Sequence, residues 1–129
     1  MHKKRVLIID DEENFCNLVK KNVEKTDEFE VHIATNGDDG IRLARGIQPD
    51  LILLDVVMPG MDGTDVIALI RKDKSIKDIP VVFLTAIVRE EEANSQASST
   101  RGYSLLAKTV TVGELIACIN KNIKKSTQP

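Results

Sequence analysis

Four short, uninterrupted apolar runs constrain this chain more than any other feature: Val6–Ile9, Val31–Ala34, Leu51–Leu54 and Val81–Leu84. Each has strand length, and each is continuous rather than alternating, which suits parallel strands covered on both faces. A fifth and weaker run spans Tyr103–Ala107. Between the runs the apolar period becomes helical. Phe15, Leu18, Val19 and Val23 form one face, Val66, Ile67 and Ile70 a second, and Leu115, Ile116, Ile119 and Ile123 a third.

Punctuation residues bound these helices. Asn36 is placed to cap a helix carrying Ile41, Ala44 and Ile47, with Gly46 and Pro49 as its stop. Thr111 and Glu114 read as a capping box for the last helix, whose end carries Lys121, Lys124 and Lys125 against the dipole. Strand and helix therefore alternate five times, with connections long enough for right-handed crossovers. That alternation predicts a doubly wound α/β fold, an open parallel sheet with helices on both faces. The domain is expected over residues 1–125, with a frayed tail over 126–129. No output module follows the last predicted helix within the 129 residues.

One segment fits badly. Residues 89–100 hold three consecutive glutamates and three serines, with only Ala93 and Ala97 to bury. A helix there has a thin apolar face, expected either to be short and partly unwound or to persist as a solvent-washed helix.

Composition limits the function. A chain of this length buries roughly two-thirds of its unfolded surface, enough for a core without staples. Aromatics are only 3%, so the core is aliphatic, and a net charge of −2 argues against a nucleic-acid or anionic-membrane surface. Cys16 and Cys118 lack metal or redox spacing and read as reduced thiols. The basic start, Met1 to Arg5, is followed by an apolar run that ends at Asp10, too short for an export signal. No stretch is long enough for a membrane span, so a cytoplasmic location is expected.

In open parallel sheets ligands bind beyond the carboxyl ends of the strands. Those ends carry Asp10 and Asp11, then Asp55, then Thr85, then Lys108. Singly, such residues are ordinary turn formers, β-formers or solvated surface. Their joint placement at four strand ends is hard to explain by turn chemistry. Three carboxylates about 5 Å apart repel by roughly 3 kcal/mol per pair at an effective dielectric of about 20. They need a counter-charge, supplied in part by Lys108 and more fully by a divalent cation such as Mg²⁺. There is no phosphate-cradling glycine loop, and Gly60-Met61-Asp62-Gly63 reads as a turn. His2 and His32 are the only histidines and offer no nucleophilic triad. A phosphoryl group must then arrive on a partner or small donor, with a carboxylate as acceptor.

The stretches Val6–Glu12, Leu51–Gly63 and Val82–Ala86 resemble the receiver domain of two-component response regulators, over nearly the whole chain. The resemblance implies a flavodoxin-like five-stranded sheet in the order 2-1-3-4-5. It implies Asp55 as phosphoacceptor, taking a phosphoryl group from a sensor histidine kinase or phosphotransfer protein. Asp10, Asp11, Asp55 and the main-chain carbonyl of Val57 would hold Mg²⁺. Thr85 would donate its hydroxyl to a phosphoryl oxygen, and Lys108 would pair with another. Thr85 would also act as the switch, pulling the loop after the fourth strand and altering a partner-binding surface, for a separate downstream protein or a fused output domain. The domain would be a phosphoacceptor switch rather than an enzyme.

Departures from the family pattern accompany this. Thr109 follows Lys108 where a proline is common, often through a cis bond, which puts the usual aim of Lys108 in question. Leu105 stands where a Tyr or Phe often turns inward on activation, with Tyr103 displaced by one strand period. With the polar 89–100 segment, these imply intact phosphorylation chemistry and an atypical output face. Val57 and Ile87, two residues beyond Asp55 and Thr85, are apolar and branched, which implies slow self-dephosphorylation. Two alternatives stand beside this reading: a receiver-like interaction domain that works without phosphorylation, and a Mg²⁺-dependent aspartyl phosphatase. The second needs a further Asp where Val57 sits.

Overall fold

In a computed structural model of the chain, residues 3–86 and 104–127 are described. Five parallel strands, β1 (Lys4–Ile9), β2 (Phe29–Ala34), β3 (Leu51–Asp55), β4 (Val81–Thr85) and β5 (Ser104–Ala107), form one sheet in the order β2-β1-β3-β4-β5. Helices α1 (Glu13–Glu24), α2 (Gly37–Ile47), α3 (Gly63–Lys72) and α4 (Val112–Thr127) cover its two faces. The expected segment 89–100, together with His2, Ile87 and Tyr103, lies outside the described residues. The last helix includes Ser126 and Thr127, so it runs two residues past the expected boundary.

The strands are buried on both faces, and the side-chain alternation sorts them into two cores. Val6 and Ile8 of β1, Leu51 and Leu53 of β3, and Val82 and Leu84 of β4 pack toward α1 and α4, against Cys16, Val19, Val23, Leu115, Ile119 and Ile123. Leu7, Ile9, Ile52, Leu54, Val81 and Phe83 face the other way, onto Ile41, Ala44, Val66 and Ile70 of α2 and α3.

The caps are partly as expected. The Asn36 side chain accepts the Asp39 N–H at the start of α2, and Thr111 and Glu114 exchange hydrogen bonds at the start of α4. Three expectations are corrected. Gly46 lies inside α2, which is closed by Gln48 in the left-handed region (φ 50°), its N–H bonded to the Ala44 carbonyl. Leu18 is 56% exposed, and Cys16 takes the expected place in the core. The sheet beneath α1 spans the narrow arc Cys16, Val19, Val23, and Leu18 falls one helical step outside it. Asp62 is more than a turn residue: it accepts from the Thr64 and Asp65 N–H groups while Asp65 reaches back to its own N–H, a complete capping box for α3.

Candidate phosphoacceptor site at the carboxyl edge of the sheet

The same alternation that sorts the core sets the site. Asp10 continues the parity of Val6 and Ile8, Asp55 that of Leu51 and Leu53, and Lys108 that of Leu106. All three are thus directed to the α1 side of the sheet at its carboxyl edge. Asp10 is pinned just beyond β1 by its N–H to the Ala34 carbonyl (3.0 Å), and its Oδ1 accepts the Glu12 N–H (2.9 Å). That bond serves the start of α1, where Glu12 has no side-chain cap of its own. Asp55 ends β3, and its Oδ1 receives the Val57 N–H at 3.4 Å.

Ligand atoms of Asp10, Asp11 and Asp55 all lie within 4.8 Å of one another, matching the crowding expected from the sequence. Asp10 and Asp55 are buried, and Asp11 is exposed. Lys108 Nζ stands 2.8 Å from Asp10 Oδ2, 3.4 Å from Asp55 Oδ2 and within an ion-pair distance of Glu12 Oε1. The Lys108–Thr109 bond is trans, no cis bond occurring among the described residues, and the ammonium reaches the carboxylates nonetheless. Its backbone N–H is held by the Thr85 carbonyl at 2.8 Å, and its Nζ lies 5.1 Å from the Phe15 ring centroid.

Charge and burial oppose each other here. Burial, with the Asp10 charge, raises the Asp55 carboxyl to about 7, against the pull of Lys108 and the Val57 N–H. Burial alone would lower the Lys108 ammonium, but Asp10, Glu12 and Asp55 hold it above the ordinary lysine value. Burial, followed by the Asp10 charge, raises the Cys16 thiol to about 12, so this thiol is no nucleophile.

The donor set fits a hard divalent cation. Asp10 Oδ2 is fully buried, and beyond its ion pair with the Lys108 ammonium at 2.8 Å it accepts no hydrogen bond among the described residues. Three carboxylates sharing one ammonium form the oxygen-rich, under-neutralised environment that Mg²⁺ favours.

Thr85 ends β4 at the same edge, half-buried and tied to Lys108 through its carbonyl. Val57 is 77% exposed beside Asp55. Leu105 is half-buried against the α2–α3 core. Two residues were not singled out by sequence reasoning. Glu12 was visible as a third acid directly after Asp10 and Asp11, at the start of a helix. Gly63 gave no signal, because its constraint is three-dimensional: a Cβ there would lie 2.5 Å from the Asp55 carbonyl oxygen.

The model of the response regulator receiver domain family matches residues 6–120. The chain belongs to this family. A DNA-binding dual master transcriptional regulator, RpaA of Synechocystis sp., is 34% identical over 122 residues, covering 95% of this chain and 50% of that protein. The receiver thus spans about half the length of that relative. The receiver domain of the Francisella response regulator 1452 superposes with a TM-score of 0.80 at 25% identity, covering 97% of this chain and 100% of that one. The Vibrio cholerae chemotaxis protein CheY4 shares the fold, with a TM-score of 0.81 at 22% identity over 94% and 99% of the two chains. Receiver domains of two-component systems are signalling switches. No helix among the described residues is long and apolar enough to cross a membrane.

Proposed function

We propose that this receiver accepts a phosphoryl group on Asp55 from the phosphohistidine of a sensor histidine kinase or phosphotransfer protein. The observation that carries the reading is the convergence of Asp10, Asp11 and Asp55 with the Lys108 ammonium at one edge of the sheet. Asp10, Asp11, Asp55 and the main-chain carbonyl of Val57 would hold Mg²⁺. When bound, the ion neutralises phosphoryl oxygens and the crowded carboxylates together.

An Asp55 carboxylate oxygen attacks phosphorus in line. The new O–P bond forms as the P–N bond to the donor imidazole breaks, and the imidazole departs with the electron pair. Burial strips water from the attacking oxygen, and Lys108, whose ammonium lies 3.4 Å from Asp55 Oδ2, would meet charge on the transferred group. Thr85 donates its hydroxyl to a phosphoryl oxygen and draws the loop after β4, which alters a partner-binding surface. The partner is a downstream protein or an output domain outside these residues. With a net charge of −2, the domain itself is not built for nucleic acid or membrane, and its place is the cytoplasm.

Reductive trapping of the phosphorylated chain, followed by peptide mapping, tests the acceptor. Modification at Asp55 is expected; modification at Asp10 or Asp11 overturns the assignment.

Val57 sets the lifetime of the phosphorylated state. Its branched apolar side chain, exposed two residues beyond Asp55, offers an attacking water no hydrogen-bond partner. Val57→Asn is expected to shorten the phosphoryl half-life by roughly tenfold, about 1.4 kcal/mol of barrier. An unchanged half-life in a decay time course would remove Val57 from this role.

A further inference from the structure

Lys108 serves three carboxylates, and the one outside the metal-holding group is among its nearest. Glu12 Oε1 lies 2.5 Å from Nζ, Asp10 Oδ2 2.8 Å and Asp55 Oδ2 3.4 Å. We infer that Glu12 is a positioning residue that holds the Lys108 ammonium in competition with the phosphoryl group, and so limits how readily Asp55 is phosphorylated. The inference rests on Asp55 being the acceptor.

The rest of Lys108 has little freedom. Its side chain is 9% exposed, its backbone N–H is fixed to the Thr85 carbonyl, and its Nζ lies over the Phe15 ring. What remains variable is which oxygens the ammonium serves, and it has three N–H donors to share. Asp55 takes the longest contact, while Glu12, whose side chain is 59% exposed, takes a short one. A phosphoryl group on Asp55 brings up to two negative charges and three acceptor oxygens that need the same donor. Glu12 must release Lys108 for that pairing to form. Because Glu12 is anchored through its N–H to Asp10 Oδ1, its backbone stays in place and only its side chain yields.

Glu13 provides the control, being an exposed carboxylate one residue further along the same helix. Labelling by phosphoramidate with Mg²⁺, followed by intact mass, is measured for the wild type, Glu12→Gln, Glu13→Gln, Lys108→Met and the Glu12→Gln/Lys108→Met double variant. Glu12→Gln is expected to label faster by roughly two- to fivefold, the range of one partly exposed ion pair. Glu13→Gln is expected to match the wild type, and the double variant to match Lys108→Met. A Glu12→Gln rate at or below wild type overturns the inference. So does a gain that persists without Lys108, since it would reflect only the field of Glu12 on an anionic donor.

The nitrogen-15 signal of the Lys108 side-chain ammonium gives a readout free of phosphorylation. Glu12→Gln is expected to speed its proton exchange with water, and Glu13→Gln to leave it alone; an unchanged signal in Glu12→Gln overturns the tie. If the wild type takes up no phosphoryl group from phosphoramidate, acetyl phosphate or a histidine kinase, the acceptor reading fails, and the ammonium signal still decides whether Glu12 holds Lys108.

Discussion

Asp55→Asn is expected to melt higher than the wild type in Mg²⁺-free buffer at about pH 8, by about 3–8 °C, the shift that ~1–2 kcal/mol gives in a domain of this size. The cause is the crowding that makes the site useful. Burial and the Asp10 charge raise the folded Asp55 carboxyl to about 7 from an ordinary 3.8. As pH climbs through that window, the unfolded chain gives up this proton before the folded one does. The folded state therefore loses stability from about pH 4 upward and bears the full penalty above about 7. Asparagine is neutral throughout. Its advantage should vanish near pH 4 and be complete near pH 8. Thermal melts across this range with a chelator present check the point, and parallel melting curves at both ends would refute the charge argument.

Gly63→Ala is the second large effect. Gly63 opens α3 with its N–H on the Val56 carbonyl at 2.9 Å. An added Cβ would meet the Asp55 carbonyl oxygen at 2.5 Å and the Val56 Cα at 3.0 Å. Both are backbone atoms and cannot rotate away, so α3 and the end of β3 must separate. The expected cost is about 1–3 kcal/mol, as for other overpacked sites. Because the displaced atoms carry Asp55, phosphoryl uptake should also slow by at least about tenfold, a loss of about 1.4 kcal/mol or more in transition-state stabilisation. Chemical denaturation and labelling time courses on one preparation measure the two together. A variant as stable and as quickly labelled as the wild type would show that the β3–α3 junction adjusts freely.

These two sites differ in how far the sequence discloses them. Asp10, Asp55 and Lys108 were legible because each ends or directly follows an apolar run of strand length, and strand parity then directs them to one face. The fold followed from the same runs. Leu18 misled because Phe15, Leu18, Val19 and Val23 satisfy a helical period, and only the narrow arc of sheet under α1 prefers Cys16 instead. Gly46 misled because glycine is the usual residue beyond a helix end, whereas here Gln48 takes the left-handed conformation. Gly63 and the Glu12–Lys108 pair were invisible for a common reason. Each depends on how closely two distant segments approach, which no local pattern records.

Acceptance of a phosphoryl group by Asp55 in a site completed by Mg²⁺ is read out by intact-mass analysis after incubation with acetyl phosphate. A single added phosphoryl group is expected in the presence of Mg²⁺, little or none with a chelator, and none in Asp55→Asn. A chain that neither binds Mg²⁺ nor takes up phosphoryl groups from acetyl phosphate or a histidine kinase would contradict it, and would leave a receiver fold that works through interaction alone.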